Sequence, residues 1–399
     1  MNDPIVIVGA GLGGVRLAES VRGAGFEGGV ILLGAEDHPP YDHPPLSKEV
    51  VTGQSERVDL KPAEFYAEKN IDLRTGSRVV AVDPDSHTVS VERDGERRDV
   101  AYGTLVLATG LAARRFPGVA DEVTGVHVIR TIEDALAVRA AAGKASRAAV
   151  IGAGFIGCEV AASLRKLEVP VTLIEPAPTP LAAAVGETIG ELITRLHREA
   201  DVDVRTGVGV DRIVADDGAV TSVELADGSS VDADLVVVGI GGYPELDYLE
   251  GSGIEIAPRE SGGGIACNSS GRTDIPDVYA LGDCANWSDA DGDRHRVEHW
   301  THTVDQAALV AAEIVGHEIT HQSVPYFWSD QYGLKIQMLG SPNPADDVHV
   351  VDDDGRKFLA YYSRDGILTG VVGAGRVGKL MKARQHLLTP TPISALLDG

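Results

Sequence analysis

One pattern constrains this chain more than any other, because it occurs twice. Ile5-Val6-Ile7-Val8 runs into Gly9-Ala10-Gly11-Leu12-Gly13-Gly14, and Ala149-Val150-Ile151 runs into Gly152-Ala153-Gly154-Phe155-Ile156-Gly157. Each copy is a short apolar strand, a glycine-rich turn and an amphipathic stretch, to about Arg22 in the first and from Glu159 to Leu167 in the second. A further apolar strand follows each, Val30 to Leu33 and Val169 to Ile174. In a strand–G-x-G-x-x-G–helix unit the first glycine permits the tight turn. The second lets the backbone approach a pyrophosphate, and the third packs helix on strand. The pyrophosphate then lies at the positive end of the helix. An acidic residue closing the next strand accepts from ribose hydroxyls. Glu36, with Asp37 beside it, has this place in the first copy and Glu175 in the second. A carboxylate at Glu175 favours the free 2′-hydroxyl of NADH over the 2′-phosphate of NADPH, and no arginine follows closely to cradle such a phosphate.

The duplication extends past the turns. Val79 to Val91 alternates like small β-hairpins, and Leu105-Val106-Leu107-Ala108-Thr109-Gly110 reads as a buried strand ending in a turn. Later, Val220 to Leu225, the turn Asp227-Gly228 and Leu235-Val236-Val237-Val238-Gly239-Ile240-Gly241 repeat that order. A helix is expected from about Thr303 to Val315. From Tyr326 the texture is strand-like, at Lys335 to Leu339, Val348 to Val351, Phe358 to Ser363 and Ile367 to Val372, before a basic helix at Val377 to Leu387. The expected fold is α/β, with two Rossmann-like dinucleotide-binding domains and a carboxyl-terminal α+β domain. Residues 1–112 and 237–319 are assigned to a discontinuous first domain, 113–236 to a second and 320–399 to the third. Two such sites in one chain fit a tightly bound flavin dinucleotide, FAD, beside a mobile nicotinamide, with hydride passing between them.

Charge and cysteines remove several classes. With 35 Lys and Arg against 60 Asp and Glu, the net charge of −25 repels phosphate backbones, so nucleic acid is not an expected partner. No apolar run is long enough to span a bilayer, and no basic, cleavable segment precedes Ile5, which leads to the expectation of a soluble cytoplasmic protein. The three cysteines, Cys158, Cys267 and Cys284, form no C-x-x-C pair. None precedes Cys158, so the first domain lacks the thiol with which related flavoenzymes reduce disulfides or peroxides. Cys158 and Cys284 read as small structural residues. No cluster-ligating pattern exists either, so an iron–sulfur centre receiving the electrons must lie on another chain.

The sequence resembles the FAD-dependent ferredoxin reductases of oxygenase and cytochrome P450 systems over essentially its whole length. The segments that carry the resemblance are Pro40-Tyr41-Asp42-His43-Pro44-Pro45-Leu46-Ser47-Lys48, Ala108-Thr109-Gly110, Arg130-Thr131-Ile132-Glu133-Asp134-Ala135, Tyr279-Ala280-Leu281-Gly282-Asp283-Cys284-Ala285, Val297-Glu298-His299-Trp300 and Phe327-Trp328-Ser329-Asp330-Gln331-Tyr332. It implies NADH oxidation through FAD and single-electron delivery to a [2Fe–2S] ferredoxin. Carried onto this chain, it implies FAD contacts from Gly9, Gly11, Leu12, Gly13, Gly14, Glu36, Lys48, Val79, Ala108, Thr109, Gly110, Arg130, Gly282, Asp283 and Trp300. NADH contacts are implied for Gly152, Gly154, Phe155, Ile156, Gly157, Glu159, Glu175, Gly239, Ile240 and Gly241. Lys48 resembles the lysine near the flavin that pairs with a glutamate of the NADH motif, here Glu159. Asp283 resembles the aspartate on the ribityl chain, and Trp300 an aromatic beside the isoalloxazine, the alternative for Trp300 being an ordinary core tryptophan. The chain departs from the family at His43, where arginine is common, at Thr179-Pro180, where many members carry an arginine over the NADH adenosine, and at Gly242-Tyr243-Pro244, which replaces an apolar pair before proline.

Docking an acidic ferredoxin on an acidic chain requires a local basic patch. Candidates are Arg294 and Arg296, Lys335, and Arg376, Lys379, Lys382 and Arg384, whose spacing puts several cations on one helical face; a solvated face is the alternative. The chain is expected as a monomer or homodimer. An NADH oxidase or quinone diaphorase, or a redox sensor resembling apoptosis-inducing factor, stays open as a different use of the same cofactors.

Overall fold

The computed structural model describes residues 3–120, 122–289, 292–317 and 323–397. The chain divides into two compact units. One comprises Met1–Asp42, Val58–Ala112 and Tyr243–Gln322, the other His43–Arg57, Ala113–Gly242 and Ser323–Gly399.

The first unit is built on a parallel sheet in the order Val278–Ala280, Thr104–Leu107, Ile5–Val8, Val30–Leu33, Ile71–Arg74. Ile5 to Val8 are all buried, which is why the strand is an unbroken apolar run. The helix Leu12–Gly23 turns Val15, Leu17, Ala18 and Val21 inward, and the helix Trp300–Val315 packs against it. That second helix starts three residues before the expected Thr303, so Trp300 is its first residue. The alternating stretch forms a three-stranded antiparallel sheet of Arg78–Asp83, Thr88–Arg93 and Glu96–Ala101.

The second unit contains the repeat. Its parallel sheet runs Val202–Thr206, Val171–Glu175, Ala148–Ile151, Leu235–Val238, Val126–His127. Helix Phe155–Lys166 follows the second glycine turn. Helix Ile132–Ala142 opens with a reciprocal cap between Thr131 and Asp134. Helix Ala182–Glu199 was not expected from the sequence; its first turn is broken at Gly186, whose φ is +73°. The same unit holds an antiparallel sheet in the order Tyr326–Gln331, Leu334–Gly340, Ile367–Ala374, Phe358–Arg364, Asp347–Asp353. The expected final helix is shorter than its pattern: Val377–Ala383 is α-helical and Arg384–Leu387 is a 3₁₀ turn. Among the described residues, no helix is long and apolar enough to cross a membrane.

Candidate functional site

Both parallel sheets reverse strand order beside their first strand, the place where open α/β sheets bind ligands. In the first unit this point lies between the carboxyl ends of Ile5–Val8 and Thr104–Leu107, where Gly9 and Ala108 meet. Gly9 has φ +109°, and a side chain there would strike the Ala108 carbonyl oxygen at 2.2 Å. A side chain at Gly14 would meet Gly9 O at 2.0 Å, whereas one at Gly11 would meet nothing within 4 Å. The second unit repeats this stereochemistry. Gly152 has φ +93° and would strike Gly239 O at 2.4 Å, Gly157 would strike Gly152 O at 1.9 Å, and Gly154 faces open space. In each turn two glycines are therefore demanded by the protein itself. The middle one leaves room at a helix N-terminus, which is the space and polarity a pyrophosphate needs.

The two acidic residues are fixed differently. Glu175 accepts from the Ala153 amide at 2.7 Å and the Ala177 amide at 2.9 Å, so its carboxylate is tied to the glycine turn. Glu36 accepts from the Tyr41 hydroxyl at 2.6 Å. On the first unit Trp300 Nε1–H donates to Asp42 Oδ1 at 3.0 Å, and the Arg16 guanidinium lies 5.6 Å from the ring centroid. Thr109 and Tyr248 share a hydroxyl–hydroxyl hydrogen bond of 3.3 Å. Asp283 lies in the 3₁₀ turn Gly282–Cys284, whose Gly282 amide donates to the buried Gln306 side chain at 2.7 Å. Val79 is buried in the small antiparallel sheet.

Lys48 and Arg130 belong to the second unit. Lys48 is not a free surface lysine. It sits in a π-turn, Leu46–Val50, a distortion that often accompanies function. Its Nζ lies 3.3 Å from Glu159 Oε1 and 3.7 Å from Asp330 Oδ2. Glu159 is buried on helix Phe155–Lys166 and accepts the Ser47 hydroxyl at 2.5 Å and the Ser329 hydroxyl at 2.7 Å. The Asp330 amide adds a longer contact of 3.4 Å. Ser163 Oγ–H donates to the Ser47 carbonyl at 2.7 Å and anchors that turn. Charged and hydroxyl donors from separate segments thus converge on one carboxylate. The roles of Ser47, Ser329 and Asp330 were missed from sequence, although all three stand inside the motifs that carry the family resemblance. Phe155, at the start of the same helix, packs on Phe327 with ring centroids 4.3 Å apart.

His43 stays neutral: burial first, then the neighbouring Arg130 guanidinium, pushes its pKa down to about 3. All three cysteines are free and buried. Burial raises each thiol above its usual range, so none supplies a thiolate nucleophile.

The basic candidates are less basic together than their sequence implies. Arg376 pairs with Asp352 at 2.8 Å and Asp354 at 2.9 Å, and Lys379 also pairs with Asp352. Lys335 pairs with Asp330 at 2.9 Å. Arg294 is spent on the carbonyl of Cys267, and Arg296 on those of Gly262 and Asp283 and on Glu298. Lys382 and Arg384 line a groove of about 780 Å³ together with Tyr361, Met381, His386 and Leu388.

Residues 3–307 match the family model for pyridine nucleotide-disulphide oxidoreductases, and residues 326–396 match the reductase carboxyl-terminal domain. The chain belongs to the pyridine nucleotide-disulphide oxidoreductase family. Membership makes it a flavoprotein oxidoreductase whose cofactors are FAD and NAD(P)H, and the two open glycine turns fit those dinucleotides. It is 38% identical to a ferredoxin–NAD(P)⁺ reductase of a Sphingomonas species, over 91% of this chain and 87% of that one. It is 33% identical to the putidaredoxin reductase of Pseudomonas putida, over 100% and 94% of the two chains. Its fold matches that of the reductase in a covalent putidaredoxin reductase–putidaredoxin complex, with a TM-score of 0.91 and 32% identity over 99% of this chain and 95% of the other. Within this family the buried, protonated cysteines set the chain apart from members that work through a thiol.

Proposed function

We propose that the protein is an NADH-dependent ferredoxin reductase, passing electrons from NADH through FAD to a [2Fe–2S] ferredoxin that serves a cytochrome P450 or Rieske oxygenase. The observation that carries this reading is the site's composition: a pair between the partly buried Lys48 and the buried Glu159, and no reactive thiol in the chain. Without a protein thiol to reduce, the electrons leave the protein, and the names of the relatives point to a ferredoxin as their acceptor. Bound FAD supplies the conversion between the two-electron hydride of NADH and single electrons.

The chain's own residues divide the work. Residues 1–112 and 237–319 are the FAD domain, 113–236 the NADH domain and 320–399 the carboxyl-terminal domain in this reading. Gly9, Gly11, Leu12, Gly13 and Gly14 hold the FAD pyrophosphate, Glu36 its ribose, and Ala108, Thr109 and Gly110 the neighbouring strand end. Val79, Arg130, Gly282, Asp283 and Trp300 complete that site, with Asp283 on the ribityl hydroxyls. Gly152, Gly154, Phe155, Ile156 and Gly157 hold the NADH pyrophosphate, and Gly239, Ile240 and Gly241 the adjacent strand end. Glu175, already aimed by two backbone amides, accepts from the adenosine ribose and selects against a 2′-phosphate. Lys48, oriented by Glu159, places a cation at the redox site and favours negative charge there. Neither residue needs to move a proton. Lys382 and Arg384 give the acidic partner its basic contact, because Arg376 and Lys379 are already engaged by Asp352 and Asp354. Three buried free thiols suit a reducing, cytoplasmic setting.

The test is cytochrome c reduction by the purified yellow protein, with NADH or NADPH and with or without a [2Fe–2S] ferredoxin. The reading expects dependence on ferredoxin and a preference for NADH. Rapid NADH oxidation that ignores ferredoxins, its native partner included, would turn the assignment to an oxidase or quinone reductase.

A further inference from the structure

The hydrogen bonds that reach Glu159 do not stop at Ser329. Gln331 Nε2 donates to Ser329 Oγ at 3.1 Å, which leaves the serine's own proton for Glu159 Oε1 at 2.7 Å. Gln331 also neighbours the His197 side chain. His197 lies fully buried on helix Ala182–Glu199, and its Nδ1 is 2.6 Å from the Tyr332 hydroxyl. Two buried atoms are then left without a partner, His197 Nε2 and Gln331 Oε1. In a neutral imidazole that takes the tyrosine proton on Nδ1, the first is a donor and the second is an acceptor.

We propose that His197 Nε2–H donates to Gln331 Oε1, so that Tyr332, His197, Gln331 and Ser329 form one buried hydrogen-bond chain running in a single direction into Glu159. Each member then has one assigned direction. Tyr332 O–H donates to His197 Nδ1, His197 Nε2–H to Gln331 Oε1, Gln331 N–H to Ser329 Oγ, and Ser329 O–H to Glu159. The chain accounts for both orphaned atoms, which buried polar groups rarely remain. It needs a neutral histidine, and burial supplies one by pushing the His197 pKa down to about 4. It also gives a reason for the backbone of Tyr332. The two-residue turn Tyr332-Gly333 joins strands paired at Gln331 and Leu334, with φ of +53° and +73°. Asn or Gly usually takes the first position of such a turn, and a bulky side chain there is strained. Backbone strain of that kind persists where the surroundings fix it for a purpose; here it sets the hydroxyl on His197.

Ser329, Gln331 and His197 are thus positioning residues. They act on the cofactor pair only through Glu159, and they make the carboxyl-terminal sheet part of the nucleotide site's electrostatics. This inference rests on reading Glu159 as the carboxylate of the nicotinamide site.

Two measurements on the FAD-loaded protein test it. Ser329→Thr and Ser329→Val have the same shape and differ in the hydroxyl. The threonine variant should keep kcat/KM for NADH near that of the parent, and the valine variant, measured well below its Tm, should lose roughly tenfold or more relative to it. Equal kinetics in the two variants would overturn the proposal. Nitrogen-15 spectra of histidine-labelled protein, with His197 assigned through His197→Phe, should show the neutral Nε2–H tautomer with Nδ1 as acceptor. Gln331→Leu should alter that signal. A charged ring, the Nδ1–H tautomer, or a signal indifferent to Gln331→Leu would overturn the chain whatever the enzyme's substrate. If Glu159→Gln left NADH kinetics unchanged, the nicotinamide-site reading would fall, and with it the role of the chain in catalysis, while the tautomer would still decide the chain itself.

Discussion

Glu159 Oε1 accepts the Ser329 hydroxyl at 2.7 Å although 170 positions separate the two residues in the chain. One belongs to the helix that opens the second glycine motif, the other to the first strand of the carboxyl-terminal sheet. Their hydrogen bond, with those from Ser47 and Lys48, makes the carboxylate a buried junction of three segments. Removing one charge from such a junction leaves the other buried and poorly compensated.

Lys48→Met is expected to slow the bleaching of the yellow absorbance by NADH at least tenfold and to destabilise the protein by about 3 kcal/mol. Stopped-flow absorbance and denaturant unfolding check both. Unchanged rates would remove the lysine from the site.

The glycine turns give a paired test of fold against cofactor. Gly9→Ala must move the Ala108 carbonyl and adopt a left-handed backbone, so little folded protein is expected. Gly11→Ala meets nothing in the protein, so it should fold with nearly normal Tm in the apo form while retaining FAD poorly. Flavin-to-protein absorbance ratios and the circular dichroism of apoprotein separate the two effects.

Much of this was legible in advance, for identifiable reasons. The two strand–turn–helix units could be read because glycine spacing and continuous apolar runs are local signals, and the structure repeats them almost atom for atom at Gly9 and Gly152. Helix Ile132–Ala142 has a local signal too, the Thr131–Asp134 cap, which went unread as such. The hydroxyl donors on Glu159 had none: a serine in Leu46-Ser47-Lys48 or Trp328-Ser329-Asp330 looks like any other until the chain brings it to the carboxylate. The ion pairs on the basic face had no local signal either. Helical spacing correctly gathers Arg376 and Lys379, but the partners that neutralise them come from strand Asp347–Asp353, far from them in sequence.

Glu175→Ser should lower the ratio of kcat/KM for NADH to that for NADPH by roughly tenfold or more, by removing the charge that repels a 2′-phosphate. Steady-state rates with both nucleotides measure it. An unchanged ratio would mean that selectivity resides elsewhere.

Acid should reveal His197. Its pKa is pushed down to about 4 in the folded protein by burial, against an ordinary 6.5. Between those values the unfolded chain binds a proton that the folded one refuses, so stability is intact above about pH 6.5 and falls as pH drops toward 4. The loss from this residue is about 3 kcal/mol. Unfolding free energies against pH, compared with those of His197→Phe, should show this component in the parent alone; His43 acts in the same direction and is common to both proteins.

Charge reversal at Lys382 and Arg384 should raise the KM for ferredoxin and weaken its salt dependence, while NADH-driven ferricyanide reduction is unchanged. Reversal at Lys379, already paired with Asp352, should do less. Equal effects at all three would mean that the ion pairs do not mask charge.

The most direct measurement is anaerobic stoichiometry: NADH is added to the FAD-loaded protein with excess oxidised [2Fe–2S] ferredoxin, and both products are counted by absorbance. A ferredoxin reductase yields two reduced ferredoxins for each NADH consumed, at a rate that saturates with ferredoxin. NADH consumed only when dioxygen or a quinone is supplied, with the native ferredoxin left oxidised, would contradict the account.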